Sequence, residues 1–177
     1  MKPLYYSLSV PVLVATAHGA QFLTVEQAQR SFFPGANSFV EKQLELSAAQ
    51  TTQIETRSRS RLRLKRFRVW EALAHGQRMG VVIVDEVYGK HEFITYAMAI
   101  DSSGKIAGVE ILTYRESYGG EVRRAQWRGQ FVGKSAGDQL ELDKDIRNIS
   151  GATLSCQHVT EGIRRNMALY HVALANN

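Results

Sequence analysis

A chain of 177 residues, 44% hydrophobic and 22% charged, has room for one domain with a substantial core and little room for two. Its single cysteine, Cys156, excludes a disulfide scaffold, a cysteine-rich zinc site and a paired-cysteine heme attachment, and three prolines without a low-complexity tract exclude a disordered chain. The formal charge of +5 leaves an excess of cations to account for.

In chain order, Lys2 precedes a short apolar stretch from Leu4 to Val14, and small residues follow at Ala15, Ala17 and Ala20. Charged, apolar, then small is the order of a secretory signal, so residues 1–20 are expected to be removed after Ala17 or Ala20 and the mature protein to be periplasmic. The apolar stretch is too short to span a bilayer. Thr24 followed by Gln27 has capping-box spacing and predicts a helix that runs through Ala28 and Phe32 and stops before Pro34. A second helix is predicted over residues 38–53, with Phe39, Leu44, Ala48 and Ala49 as its apolar positions. Arg57, Arg59, Arg61, Arg63, Lys65, Arg66 and Arg68 then alternate with Ser58, Ser60, Leu62, Leu64 and Phe67, which predicts a strand with one basic face. Such a stripe suits nucleic acid, an acidic redox partner, or plain solvation. It lies in no recognisable nucleic-acid-binding module and an exported chain meets little nucleic acid, so no such partner is expected.

Short strands separated by polar turns containing glycine follow: 69–74, the turn His75-Gly76, 79–87, 93–100, the turn Asp101-Ser102-Ser103-Gly104, and 105–114. This predicts an α+β fold, a mainly antiparallel sheet flanked by helices in a single domain, with residues 21–79 supplying the N-terminal helices and first strands and residues 80–177 the functional core. Beyond it a polar element carrying Gly119-Gly120 leads into Val122, Ala125, Trp127 and Phe131 at partly helical spacing. Val159, Ile163, Met167 and Tyr170 mark the apolar stripe of an amphipathic C-terminal helix. Cys156 is expected to pack as a small apolar side chain. His158 and His171 are too far apart along that helix to form a metal-ligand pair.

The loop before that helix reads Ser150-Gly151-Ala152-Thr153-Leu154-Ser155. Gly151 and Ala152 remove side-chain bulk next to a hydroxyl, and the free N–H groups and positive dipole end of a helix beginning near Leu154 or Ser155 suit a phosphate. This string resembles the flavin-attachment motif of the FMN-binding domain family, which includes the periplasmic flavin subunits of sodium-pumping NADH:quinone reductases and of Rnf-type electron-transport complexes. The element Tyr114-Arg115-Glu116-Ser117-Tyr118-Gly119-Gly120, followed by Trp127, Phe131, Gly133 and Lys134, is similar to the polar glycine loop of that family, and the resemblance extends over roughly residues 80–171. It implies FMN esterified to Thr153 by a separate flavin transferase, which uses FAD and magnesium and releases AMP. It implies a cofactor site drawn from Ser150, Gly151, Ala152, Thr153, Leu154, Ser155, Glu116, Tyr118, Gly119 and Gly120. It implies as partners a membrane redox protein, or a periplasmic cytochrome or reductase.

Within that site Tyr118 and Leu154 are candidates to pack on the ring, while Glu116 either accepts a hydrogen bond from it or sits on a solvated loop. Trp127 is a core residue or a ring contact. Arg147, Arg164 and Arg165 are candidates to add positive charge at the phosphate. Arg147 also departs from the family, which commonly has an acid three positions before the motif serine. Two other readings stay open: a binding or assembly module of the same fold without covalent flavin, and a basic surface-binding protein using the 57–68 stripe.

Overall fold

The computed structural model describes residues 20–63 and 65–175; the expected secretory signal lies almost wholly outside them. The elements run β1 (Ala20–Gln21), α1 (Val25–Phe32), β2 (Ser38–Glu45), α2 (Ala48–Ser58), β3 (Arg66–Ala74), β4 (Gln77–Tyr88), β5 (Phe93–Asp101), β6 (Ile106–Tyr114), the short helix α3 (Ala125–Arg128) and the long helix α4 (Thr153–Ala173). The six strands form one antiparallel sheet in the order β1-β6-β5-β4-β3-β2. The fold is α+β, as the pattern of strands and helices predicts. Among the described residues no helix is long and apolar enough to cross a membrane.

The sheet divides its side chains by size. One face carries Phe67, Val69, Ile83, Tyr96, Met98, Ile100 and Ile111, and α4 and α2 cover it. The other carries the smaller Ala72, Val82, Ala97, Ala99 and Leu112 beside Trp70, and α1 covers it. Small residues let α1 come close. A Cβ on Gly108 would stand 2.6 Å from the Phe32 ring, and one on Gly80 the same distance from the Phe33 ring. Alternation with period two along each strand produces this division.

Helix α1 starts and stops where its capping box and Pro34 predict: Thr24 accepts from the Gln27 amide, and the Gln27 side chain accepts from the Thr24 amide. Two expectations upstream are corrected. Residues 38–45 are strand and not helix. Phe39 and Leu44 point to opposite faces, one into each core, and β2 is held by cross-strand pairs with β3, namely Lys42–Glu71 at 2.7 Å and Arg68–Glu41 at 2.7 Å. The helix begins only after Ser47, whose capping box with Gln50 repeats the Thr24–Gln27 spacing. The basic stripe is not one strand either. Arg57 lies in the last turn of α2, Arg59 is its left-handed cap, Arg61, Arg63 and Lys65 lie in the connection, and of the stripe Arg66 and Arg68 belong to β3.

Helix α4 crosses the larger core. Val159, Ile163, Met167 and Tyr170 are buried, so the apolar stripe is the packed face. Gly162 is a close approach: a Cβ there would fall 2.5 Å from the Tyr96 hydroxyl and 2.8 Å from Val87. That hydroxyl donates to Asp85 at 3.0 Å and accepts from Asn166 at 2.9 Å, and Arg165 closes the network on Asp85 at 2.8 Å. Burial, then the neighbouring Asp85 carboxylate, pushes the Tyr96 phenol well above its ordinary range. The network fixes the middle of α4, and so its first turn, against β4 and β5.

Candidate functional site

Three segments meet at the start of α4: the β4–β5 turn at residues 89–92, the loop at 115–120, and the motif at 150–155. Together they line a groove of about 760 Å³. Each junction has an identifiable cause. The Tyr114 hydroxyl, at the end of β6, donates to the Tyr118 carbonyl and lies 3.0 Å from Ser155 Oγ, which ties the loop to the motif helix. Gly119 permits this closeness. It has φ +82°, and a Cβ there would come within 2.7 Å of Ser155 Oγ and 2.9 Å of the Tyr114 hydroxyl. Burial raises the Tyr114 phenol, so it stays a neutral donor. Glu116 joins the loop to the turn. Its Oε1 accepts from the amides of His91 at 2.6 Å and Glu92 at 3.0 Å. Burial pushes this carboxyl up, but the amides of Glu92, His91 and Lys90 together outweigh burial and hold it below the usual carboxylate range.

The motif opens into the groove. Gly151 has φ +85°, with open space where a Cβ would stand. Ala152 is the N-cap of α4 and supplies no side-chain cap, so the first amides of the helix have no side-chain acceptor. The helix starts at Thr153, one or two residues earlier than expected, which puts that hydroxyl in the first turn. Thr153 is exposed, and its Oγ1 accepts from Asn148 Nδ2 at 3.2 Å. Asn148 cannot swing away freely, because its Oδ1 accepts from the Ile149 amide at 2.8 Å. Leu154 is 44% exposed and Tyr118 86% exposed.

Of the ten expected site residues, Gly151, Ala152, Thr153, Leu154, Ser155, Glu116, Tyr118 and Gly119 line this groove. Gly120 borders a second cleft on the other side of the loop, and Ser150 is exposed beside Gly151. Trp127 is a core residue. Its Nε1 donates to the Arg147 carbonyl at 2.9 Å and its ring meets Phe131 edge-on at 5.1 Å, bracing the segment that leads to the motif. Cys156 is buried, and burial raises its thiol. Arg164 and Arg165 do not serve the motif. Arg164 donates to the carbonyls of Ser58 and Leu140, and Arg165 pairs with Asp85, three turns along the helix from Thr153. Arg147 is exposed, with its amide donating to Gln130. Among the described residues no cluster of His, Cys, Asp and Glu could hold a metal.

Sequence reasoning missed Asn148 and the 89–92 turn. Asn148 is legible in hindsight as an amide side chain one turn before a helix start. The turn joins the site only through the long-range bonds of Glu116, which leave no local trace.

The geometry suits FMN. The groove is the size of a cofactor site. Uncapped helix amides and Thr153 lie together for a phosphate. Tyr118 and Leu154 offer aromatic and aliphatic surface for a flat ring.

In sequence, residues 89–168 match the FMN-binding domain family. The chain is 31% identical over 80 residues to a component of the Na(+)-translocating ferredoxin:NAD(+) oxidoreductase complex of Acetobacterium woodii, a stretch that makes up 40% of this chain and 39% of that protein. The chain thus spans about two fifths of the length of that curated relative. In structure it is similar to NqrC of Shewanella oneidensis (TM-score 0.53, 16% identity, 82% of each chain). It is similar too to a component of the Na(+)-translocating NADH-quinone reductase of Parabacteroides distasonis (TM-score 0.56, 16% identity, 85% of this chain and 83% of that one). At such identities the likeness is one of fold. The turn, the loop and the motif all fall within the segment, residues 89–168, that matches the FMN-binding domain family.

Proposed function

We infer that the chain is an exported electron-transfer flavoprotein whose FMN is bonded through its phosphate to Thr153. The observation that carries this reading is the position of the Thr153 hydroxyl: exposed, in an uncapped first helical turn, and facing a groove of cofactor size. When bound, FMN supplies one- and two-electron redox chemistry at its ring, and the chain's own residues hold and tune it. Asn148 takes one lone pair of Thr153 Oγ1, which leaves the other lone pair and the hydroxyl hydrogen directed away from the amide. Attachment forms an Oγ1–phosphorus bond, breaks the pyrophosphate of FAD, releases AMP and passes the hydroxyl proton to the transferase. The helix amides then face the phosphodiester. Tyr118 and Leu154 wall the ring, and Glu116 keeps turn and loop at the width the groove has here.

The leader at residues 1–20 supports export to the periplasm. The relatives' membrane complexes support a membrane redox partner, with a periplasmic cytochrome or reductase as the soluble equivalent. The test is colour and mass. Chain matured with a flavin transferase stays yellow after denaturation and is heavier by one FMN less one water, and Thr153→Val abolishes both while the protein still folds. A colourless product of unmodified mass rejects the reading. It would favour the second one, a module of the same fold without covalent flavin, for which Arg147 in the family's acidic position is the specific observation.

A further inference from the structure

The chain's cations are unevenly neutralised. Along β2 and β3, Lys42, Arg66 and Arg68 each face a carboxylate. Around residues 128–145, Arg128 pairs with Glu110 and Lys134 with Asp145 at 3.0 Å. At the groove the pattern changes. Lys90 and Arg115 line it, Arg124 and Arg147 flank the adjoining clefts, all four are exposed, and among the described residues none has a carboxylate at ion-pair distance. The acids nearby are few. Glu116 is spent on the amides of the turn and Asp145, in the cleft beside Arg124 and Arg147, on Lys134, which leaves Glu92 and Glu121. Two exposed apolar side chains, Leu154 and Tyr118, line the groove beside Lys90 and Arg115, and a third, Phe22, lines the adjoining cleft with Arg115 and Arg124. Apolar groups encircled by charge are the anatomy of a transient protein contact, and here they sit beside the groove itself.

A second set of cations without a carboxylate partner among the described residues, Arg57, Arg61, Arg63 and Lys65, occupies the end of α2 and the connection to β3. One of them approaches the groove: the Arg63 guanidinium lies 6.0 Å from the centre of the Tyr88 ring, whose hydroxyl donates to the His91 carbonyl in the β4–β5 turn. Glu86 and Glu161 line the same cleft as Arg63, so next to the groove the cations without an acidic neighbour are those of the rim.

We propose that the rim formed by Lys90, Arg115, Arg124 and Arg147 is the docking surface for a protein electron carrier with an acidic contact face. The choice of an electron carrier rests on the flavin reading; the basic surface does not. Complementary charge guides the acidic face onto the groove, so that Leu154 and Tyr118 come into contact with it and electrons cross a short gap. Guidance of this kind raises association rates by about 10- to 1000-fold at low salt and fades as the Debye length shrinks.

Two measurements test this. The first needs no flavin. Poly-L-glutamate titrated into the flavin-free chain at low salt should shift the backbone amide resonances of residues 90–92, 115–119, 124 and 147–154. The shifts should disappear in about 0.5 M salt, where the Debye length is only about 4 Å. They should also be lost in the triple variant Arg115→Glu, Arg124→Glu, Arg147→Glu and kept in Arg57→Glu, Arg61→Glu, Lys65→Glu. The second uses flavin-loaded, dithionite-reduced protein in stopped flow. Hexacyanoferrate(III) and hexaammineruthenium(III) each accept one electron, so two ions are reduced for every flavin that gives up two electrons, and its protons pass to water. The anionic oxidant should slow at least tenfold between low salt and 0.5 M, the cationic one should speed up, and the triple reversal should exchange the two behaviours. Shifts confined to residues 57–65, shifts unaffected by the triple reversal, or an anion rate indifferent to salt overturn the proposal. A chain that takes up no flavin defeats the functional reading, while the amide titration still decides the surface.

Discussion

In the first turn of α4, Thr153 and Leu154 face solvent and Ala152 leaves the amides without a side-chain acceptor. Two turns later everything is closed: Thr160, Ile163, Asn166 and Met167 are buried, and Arg164 and Arg165 bond other elements. One helix thus holds an end whose polar groups are available and a middle whose polar groups are mostly bonded, the buried Asn166 Oδ1 excepted. Side chains in the middle are set by the core they share with the sheet, those in the first turn by what must approach from outside.

Substitutions separate the two regions. The largest stability effect belongs to the middle: Met167→Ala should cost about 2–5 kcal/mol in urea unfolding through the lost burial and the cavity left behind, yet folded protein should still accept flavin. Gly162→Ala follows. The added methyl meets Tyr96, which Asp85 and Asn166 hold in place, and overpacking of about 1–3 kcal/mol should exceed the gain of about 1 kcal/mol in helix propensity. Thr153→Val and Leu154→Ala should move stability by less than about 0.5 kcal/mol in the same experiment, although the first removes the hydroxyl proposed to carry the flavin. A first-turn variant that unfolds the protein, or a mid-helix variant that folds normally and refuses flavin, breaks the distinction.

The smallest effect sharpens it by pH. Glu116 is held below its ordinary carboxylate range in the folded chain, so its contribution is complete above the unfolded value and is lost as pH falls through the lower folded one. As pH falls below the ordinary carboxylate range, the amides of His91 and Glu92 should lose protection against hydrogen exchange in the native chain. In Glu116→Gln that change should be absent.

What could be read from the sequence follows the range of the forces involved. The Thr24–Gln27 box, the His75-Gly76 and Asp101–Gly104 turns, the alternating strands between them and the stripe of α4 are local patterns, and they predicted their elements. Residues 38–45 failed because pairing with β3 decides that segment, and Phe39 and Leu44 show two faces only once the partner strand is known. The alternation over residues 57–68 misleads for the opposite reason: a true local pattern is cut by the end of α2, a helix that the Ser47–Gln50 box places. At the site, the motif string and the glycine loop are contiguous and therefore visible. The turn at 89–92 is joined to them by one carboxylate 24 and 25 residues away, and Arg164 and Arg165 could be directed elsewhere only by a tertiary network.

Strand β1 has a practical consequence. Ala20 pairs with Tyr114, and Ala20 and Phe22 edge the cleft beside the glycine loop, with Arg123 stacked 4.2 Å over the Phe22 ring. Whatever is fused ahead of residue 20 therefore emerges beside the glycine loop, which separates that cleft from the groove lined by Thr153. The end of α4 lies about 30 Å from its start, at 1.5 Å per residue. An affinity handle or surface tether belongs at that distal end, where immobilised protein presents its open side to the bulk.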